Sequence, residues 1–154
     1  MDSLERLAYD AALRSLDKQE RLLDEIRART GVLVGVSSLA VSFLGRPAIE
    51  SGRPVAVVAL ALMAFTASVG AGLYVLLPKH ELVFALSGVA LYEGLYDCRA
   101  DLEEALRRLT YDLQRFWQSN DANLRRLVAS FRLAGLALAA EVVLLVVAVS
   151  DTLF

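Results

Sequence analysis

Few residues in this chain carry the elements of chemistry, and most of those that do stand alone. Cys98 is the single cysteine and His80 the single histidine. A zinc site, a Cys-His nucleophile pair, a haem attachment motif and an intramolecular disulfide each lack a second member. No Gly-x-Gly-x-x-Gly, Walker lysine or Gly-x-Ser-x-Gly occurs, so nothing here predicts a phosphate cradle or an activated serine. The reading is therefore not an enzyme and calls for no cofactor or metal. Glu141 differs from the other carboxylates by its setting. It lies about halfway along an apolar run, LAGLALAAEVVLLVVAVS (133 to 150). An ionisable group at that depth in a bilayer costs ~2.5 kcal/mol or more, so it must face other helices or water, or be protonated. Its candidate roles are a gate, an ion site or a helix-to-helix hydrogen bond; the plainer one is assembly alone.

Small residues recur at four-residue spacing: Gly31 with Gly35, Ala64 with Ser68 and Gly72, and Gly135 with Ala139. Such rows let helices approach closely in lipid, either within one chain or between copies. Ser68-Val69-Gly70-Ala71-Gly72 resembles a potassium filter only superficially, because a filter needs a re-entrant loop and these residues lie in a continuous apolar run. The paired Glu103 and Glu104 and the doublets Arg107-Arg108 and Arg125-Arg126 read as the solvated face of a helix. Arg125, Arg126 and Arg132 are also placed to meet anionic headgroups where the chain enters the membrane.

The elements that position these residues follow from hydropathy. Residues 54 to 78 run without one charged side chain between Arg53 and Lys79. As a helix they reach ~36 Å, enough for a hydrocarbon core of ~30 Å. With 56 % hydrophobic residues in a chain of 154, one membrane-embedded unit is predicted. The fold class expected is all-α, with three transmembrane helices and a cytoplasmic helical bundle formed by extensions of the spans. Residues 3–29 predict a cytoplasmic amphipathic helix with Leu4, Leu7, Ala8, Ala11, Leu22, Leu23 and Ile26 on its apolar face. Residues 30–49 form the first span and 54–78 the second. Gly45, Pro47, Gly52 and Pro54 supply the turn between them, and the three prolines are expected at the edges of spans. Residues 79–132 form a cytoplasmic or interfacial helical segment, with 82–92 at the interface or packed on the bundle, and 133–150 form the third span. A capping box at Asp101 and Glu104 opens a coiled-coil-like seam of Leu102, Leu106, Leu109, Leu113, Phe116, Asn120, Leu124 and Leu127. Ser119, Asn120, Asp121 and Asn123 are weak helix formers, and a turn or bend is expected there. Phe116 and Trp117 lie too far from Leu133 for an aromatic belt, ~24 Å along a straight helix, and are expected in the bundle.

Charge supplies orientation. Six of the sixteen lysines and arginines precede residue 30, two lie in the hairpin loop, eight fall between Lys79 and Arg132, and none follows Ser150. The positive-inside rule then places the N-terminus and residues 79–132 in the cytoplasm and the C-terminus outside.

This layout resembles the small membrane effectors of bacterial anti-phage signalling, the Pycsar effector family and the SLATT-type two-span effectors. The nearest local stretches are LDKQERLLDEIRARTGVLVG (Leu16 to Gly35) and LRRLVASFRLAGLALA (Leu124 to Ala139), where a basic helix leads into a span. The resemblance implies no particular site residue. It implies an oligomer in the bacterial inner membrane that compromises the bilayer when a cytoplasmic signal arrives. Its partners would be the lipid bilayer, further copies of the chain, and a cytosolic protein or cyclic nucleotide, with no nucleic acid polymer. Two other readings share these features: a non-conducting membrane anchor for a cytosolic partner, and a small channel or transporter subunit resting on Glu141.

Overall fold

The computed structural model describes residues 4–50, 55–78, 82, 84 and 102–150, and these form helices and no strand. α1 spans Leu4–Glu50 (47 residues), α2 spans Val55–Leu76 (22 residues) and α3 spans Leu102–Val149 (48 residues). Each contains a stretch long and apolar enough to cross a membrane, as expected of a multi-pass membrane protein. Asp101, His80, Cys98 and most of the 82–92 run lie outside the described residues.

Cα proximity divides the chain into two units, Met1–Asp24 with Lys79–Arg125 and Glu25–Pro78 with Arg126–Phe154. Both α1 and α3 contribute to each unit without a break in the helix.

In the first unit, α1 and α3 bury a seam of Leu16, Gln19 and Leu23 with Ala105, Leu109, Leu113, Asn120 and Leu124. Gln19 Nε2 donates to the backbone oxygen of Trp117 (3.2 Å), and Phe116 and Trp117 are half-buried. The anticipated α1 face is rotated. Leu4 is 77 % exposed, Leu7 and Leu22 are also exposed, and the inward positions of α1 are Leu16, Gln19, Leu23, Ile26 and Thr30; on α3, Leu102 of the expected seam is 71 % exposed. The 3,4 spacing of that set admits polar Gln19 and Thr30, which a search for apolar residues passes over.

The expected bend at Ser119 to Asn123 is absent, since α3 is helical throughout. Asn120 is wholly buried in the seam, and Asp121 accepts a hydrogen bond from Arg125 Nε (2.8 Å) one turn on. Burial of Leu113, Asn120 and Leu124 overrides weak propensity here. Asp121→Ala removes only an exposed i,i+4 pair, so it is expected to change stability by no more than about 0.5 kcal/mol. The far-UV helical signal should be unchanged; a large loss would make the ion pair, not the buried seam, the reason the helix continues.

In the second unit α2 runs antiparallel to α1 and α3, which run parallel to each other. Gly72 lies against Thr30 and Val34, Gly135 against Leu33, and a cluster of Ala48, Ala61, Leu145, Ala148 and Val149 joins all three helices. α1 continues through Gly45 and Pro47 to Glu50, so these two residues belong to the helix and not to the turn. Pro47 is only three residues from the end of α1, where its missing N–H forfeits a single helical bond.

Candidate functional site

The second unit buries a small polar layer within an apolar interior and turns large apolar side chains outward. Thr30, Ser37, Ser68 and Glu141 are each 0 % exposed, while Val32, Leu39, Phe43, Leu60, Leu136 and Val143 face outward. A soluble bundle would invert this, because outward apolar area is unfavourable in water and neutral in lipid.

Glu141 is the chemical centre of that interior. Ser37 Oγ on α1 donates to Glu141 Oε2 on α3, a bond between two wholly buried side chains. Glu141 Oε1 is buried and has no hydrogen-bond partner among the described residues. Seven residues toward the N-terminal end of α3, Ser68 Oγ donates to the backbone oxygen of Ala134 (3.1 Å) and ties α2 to α3. Thr30 Oγ1 donates to the backbone oxygen of Ile26 within α1 (2.7 Å). Apolar side chains close the interior on both sides of these groups: Ile26, Val75 and Leu127 on one, and the Ala48, Ala61, Leu145 cluster on the other. The arrangement is a sealed polar layer holding one carboxyl with an unused acceptor. It joins α1 and α3 by a bond whose strength depends on their register.

The small residues divide into two groups. Ser68 and Gly72 are buried at the helix contacts, Ala64 is half-buried, and Gly135 is in ordinary contact with Leu33. Gly31, Gly35 and Ala139 are exposed, and a Cβ at either Gly31 or Gly35 would meet nothing within 4 Å. Exposed Ser38 and Ser42 continue the Gly31, Gly35 row at steps of three and four. Their hydroxyls are bonded back to the oxygens of Val34 (3.0 Å) and Ser38 (2.8 Å), so neither leaves a loose donor on this outward face.

Compared with protein-family models, curated proteins and solved structures, the chain matches none of them. Its function rests on the geometry. Ser37 is the site residue that sequence reading passed over. Its signal was the inward 3,4 series of α1, which runs 16, 19, 23, 26, 30 and reaches 37 after one further heptad.

A second candidate lies in the first unit, where a cavity of about 280 Å³ is lined by Leu4, Glu5, Ala8, Arg107, Thr110 and Tyr111. It combines an apolar wall with an aromatic face, an arginine and a carboxylate, and it lies between the first turns of α1 and the second and third turns of α3. Arg107 is held only loosely by Glu104 (3.7 Å), which bonds Arg108 more closely (3.0 Å). Arg125 is paired with Asp121, whereas Arg126 and Arg132 are exposed and join no ion pair among the described residues.

Proposed function

We propose that this chain is an oligomeric protein of the bacterial inner membrane that perturbs the bilayer when a cytoplasmic signal reaches its polar helices. The observation that carries the reading is the continuity of α1 and α3, each an unbroken helix of nearly fifty residues whose charged half leads into an apolar half. A helix transmits rotation or tilt along its length. On this reading the signal acts through the two helices that also carry Ser37 and Glu141. The cavity between Leu4 and Tyr111 is where a small anionic ligand such as a cyclic nucleotide would enter, with Arg107 for the phosphate and Tyr111 for the base. The exposed Gly31, Gly35, Ser38 and Ser42 row offers a face to a second copy. The bias of lysine and arginine toward this side supports a cytoplasmic position for it. The resemblance to the Pycsar and SLATT-type effectors points the same way, and no catalytic step is assigned.

The test is leakage of dye and ions from liposomes carrying the full-length protein, with and without cyclic nucleotides, alongside its mass in detergent. Ligand-dependent leakage with a multimeric mass is the expected result, and Arg107→Glu should remove the response. Tight vesicles under every condition, with a monomeric mass, would replace this reading with that of a non-conducting anchor for a cytosolic partner.

A further inference from the structure

The two ends of the second unit carry different charge. At one end Arg27 and Arg29 on α1 and Arg126 and Arg132 on α3 outnumber the neighbouring carboxylates of α1, Asp24 and Glu25, the second of which bonds Arg29. At the other, Arg46 is bonded by Glu50 (2.9 Å), and the described residues there sum to zero. The contact of Leu33 with Gly135 fixes depth. In parallel helices it sets Arg29 level with Arg132 to within about a turn, and Arg126 about two turns earlier. The contact of Gly72 with Thr30 brings Tyr74, which is exposed, to the same depth. Four arginines and a tyrosine thus encircle one rim of the apolar surface, the arrangement in which amphipathic and cationic side chains meet headgroups. From Arg29 to Arg46 is 17 residues, ~26 Å of helix, close to the thickness of a hydrocarbon core.

We propose that this rim is a binding surface for anionic phospholipid headgroups, with Arg126 and Arg132 as the principal phosphate contacts. They are the two arginines of the rim that are exposed and enter no ion pair among the described residues. Arg27 has a buried Nε with no acceptor among the described residues and adds positive potential at this end. A headgroup phosphate accepts charge-assisted hydrogen bonds from these side chains, while its acyl chains lie against outward Leu133 and Leu136. The inference rests on the helices lying in a bilayer and not on the effector reading, so a protein that leaks nothing would still bind.

The experiment is native mass spectrometry of the full-length protein with phosphatidylglycerol or phosphatidylcholine added in detergent, counting retained lipid. Phosphatidylglycerol should be retained at lower concentration, by about fivefold per contacting arginine. Arg126→Gln with Arg132→Gln should abolish the preference, Arg126→Lys with Arg132→Lys should keep most of it, and Arg46→Gln should leave it unchanged. The proposal is overturned if wild-type protein retains both lipids equally, if Arg46→Gln lowers retention as much as the rim pair does, or if soluble glycerol phosphate displaces the lipid.

Discussion

Gly72→Leu is expected to unfold the second unit or to destabilise it by about 3 kcal/mol, the upper range for overpacking a close-packed interior. A Cβ at Gly72 would sit 2.6 Å from Val34 Cγ2 and 3.4 Å from Thr30 Cγ2. Neither neighbour yields easily. Val34 is β-branched, with one strongly preferred χ1 in a helix, and Thr30 is held by its bond to the oxygen of Ile26. Relief requires α1 and α2 to separate along their length, and in lipid the contact between them is sustained by van der Waals fit with no hydrophobic drive behind it. Thermal unfolding in bicelles, followed by far-UV dichroism, is the measurement. Gly31→Leu and Gly35→Leu are the matched controls. Both place the same bulk where nothing lies within 4 Å of the new Cβ, so melting should be unchanged while cross-linking between copies falls. Equal melting for Gly72→Leu and Gly31→Leu would mean that the α1–α2 contact at Gly72 is not what holds the hairpin.

The contrast between these glycines shows what a sequence can and cannot convey. Four-residue spacing marked both Gly31 with Gly35 and Ser68 with Gly72, because small residues at that interval are legible as a smooth helix face. Which face meets its own chain depends on the rotation of each helix, and that is fixed by the whole inward series of α1. The series contains Gln19, Thr30 and Ser37, so an apolar template finds Leu23 and Ile26 correctly and then misassigns Leu4, Leu7 and Leu22 to the interior. α2 was clear at once, since an uncharged run of that length has few alternatives. The continuity of α3 was not, because Ser119 to Asn123 are weak helix formers and the burial of Asn120 in the seam is a tertiary fact. Glu141 stood out as the lone carboxylate of its run. Its partner did not, because a serine in an apolar helix is common and its direction is a tertiary fact.

That partner makes the two halves of the polar layer unequal under mutation. Ser37→Ala is expected to destabilise by about 1–3 kcal/mol, since it leaves both oxygens of Glu141 buried without a donor where one is already unpaired. Glu141→Met should be neutral or stabilising by a similar amount. It removes the unpaired acceptor and replaces the carboxyl with an unbranched side chain that adapts to irregular space. Ser37 would not be stranded, because its hydroxyl can turn to the oxygen of Leu33 one turn back, as Ser38 does to Val34 and Ser42 to Ser38. The double variant should therefore melt close to Glu141→Met and well above Ser37→Ala. If the buried carboxyl serves the membrane-perturbing activity, Glu141→Met will be the more stable protein and the less leaky one, the pattern of a group retained against stability for function. A Glu141→Met protein that melts higher and still leaks like wild type would reduce the carboxyl to an inherited cost. One that melts several kcal/mol lower would instead make the Ser37–Glu141 bond the element that holds α1 and α3 in register.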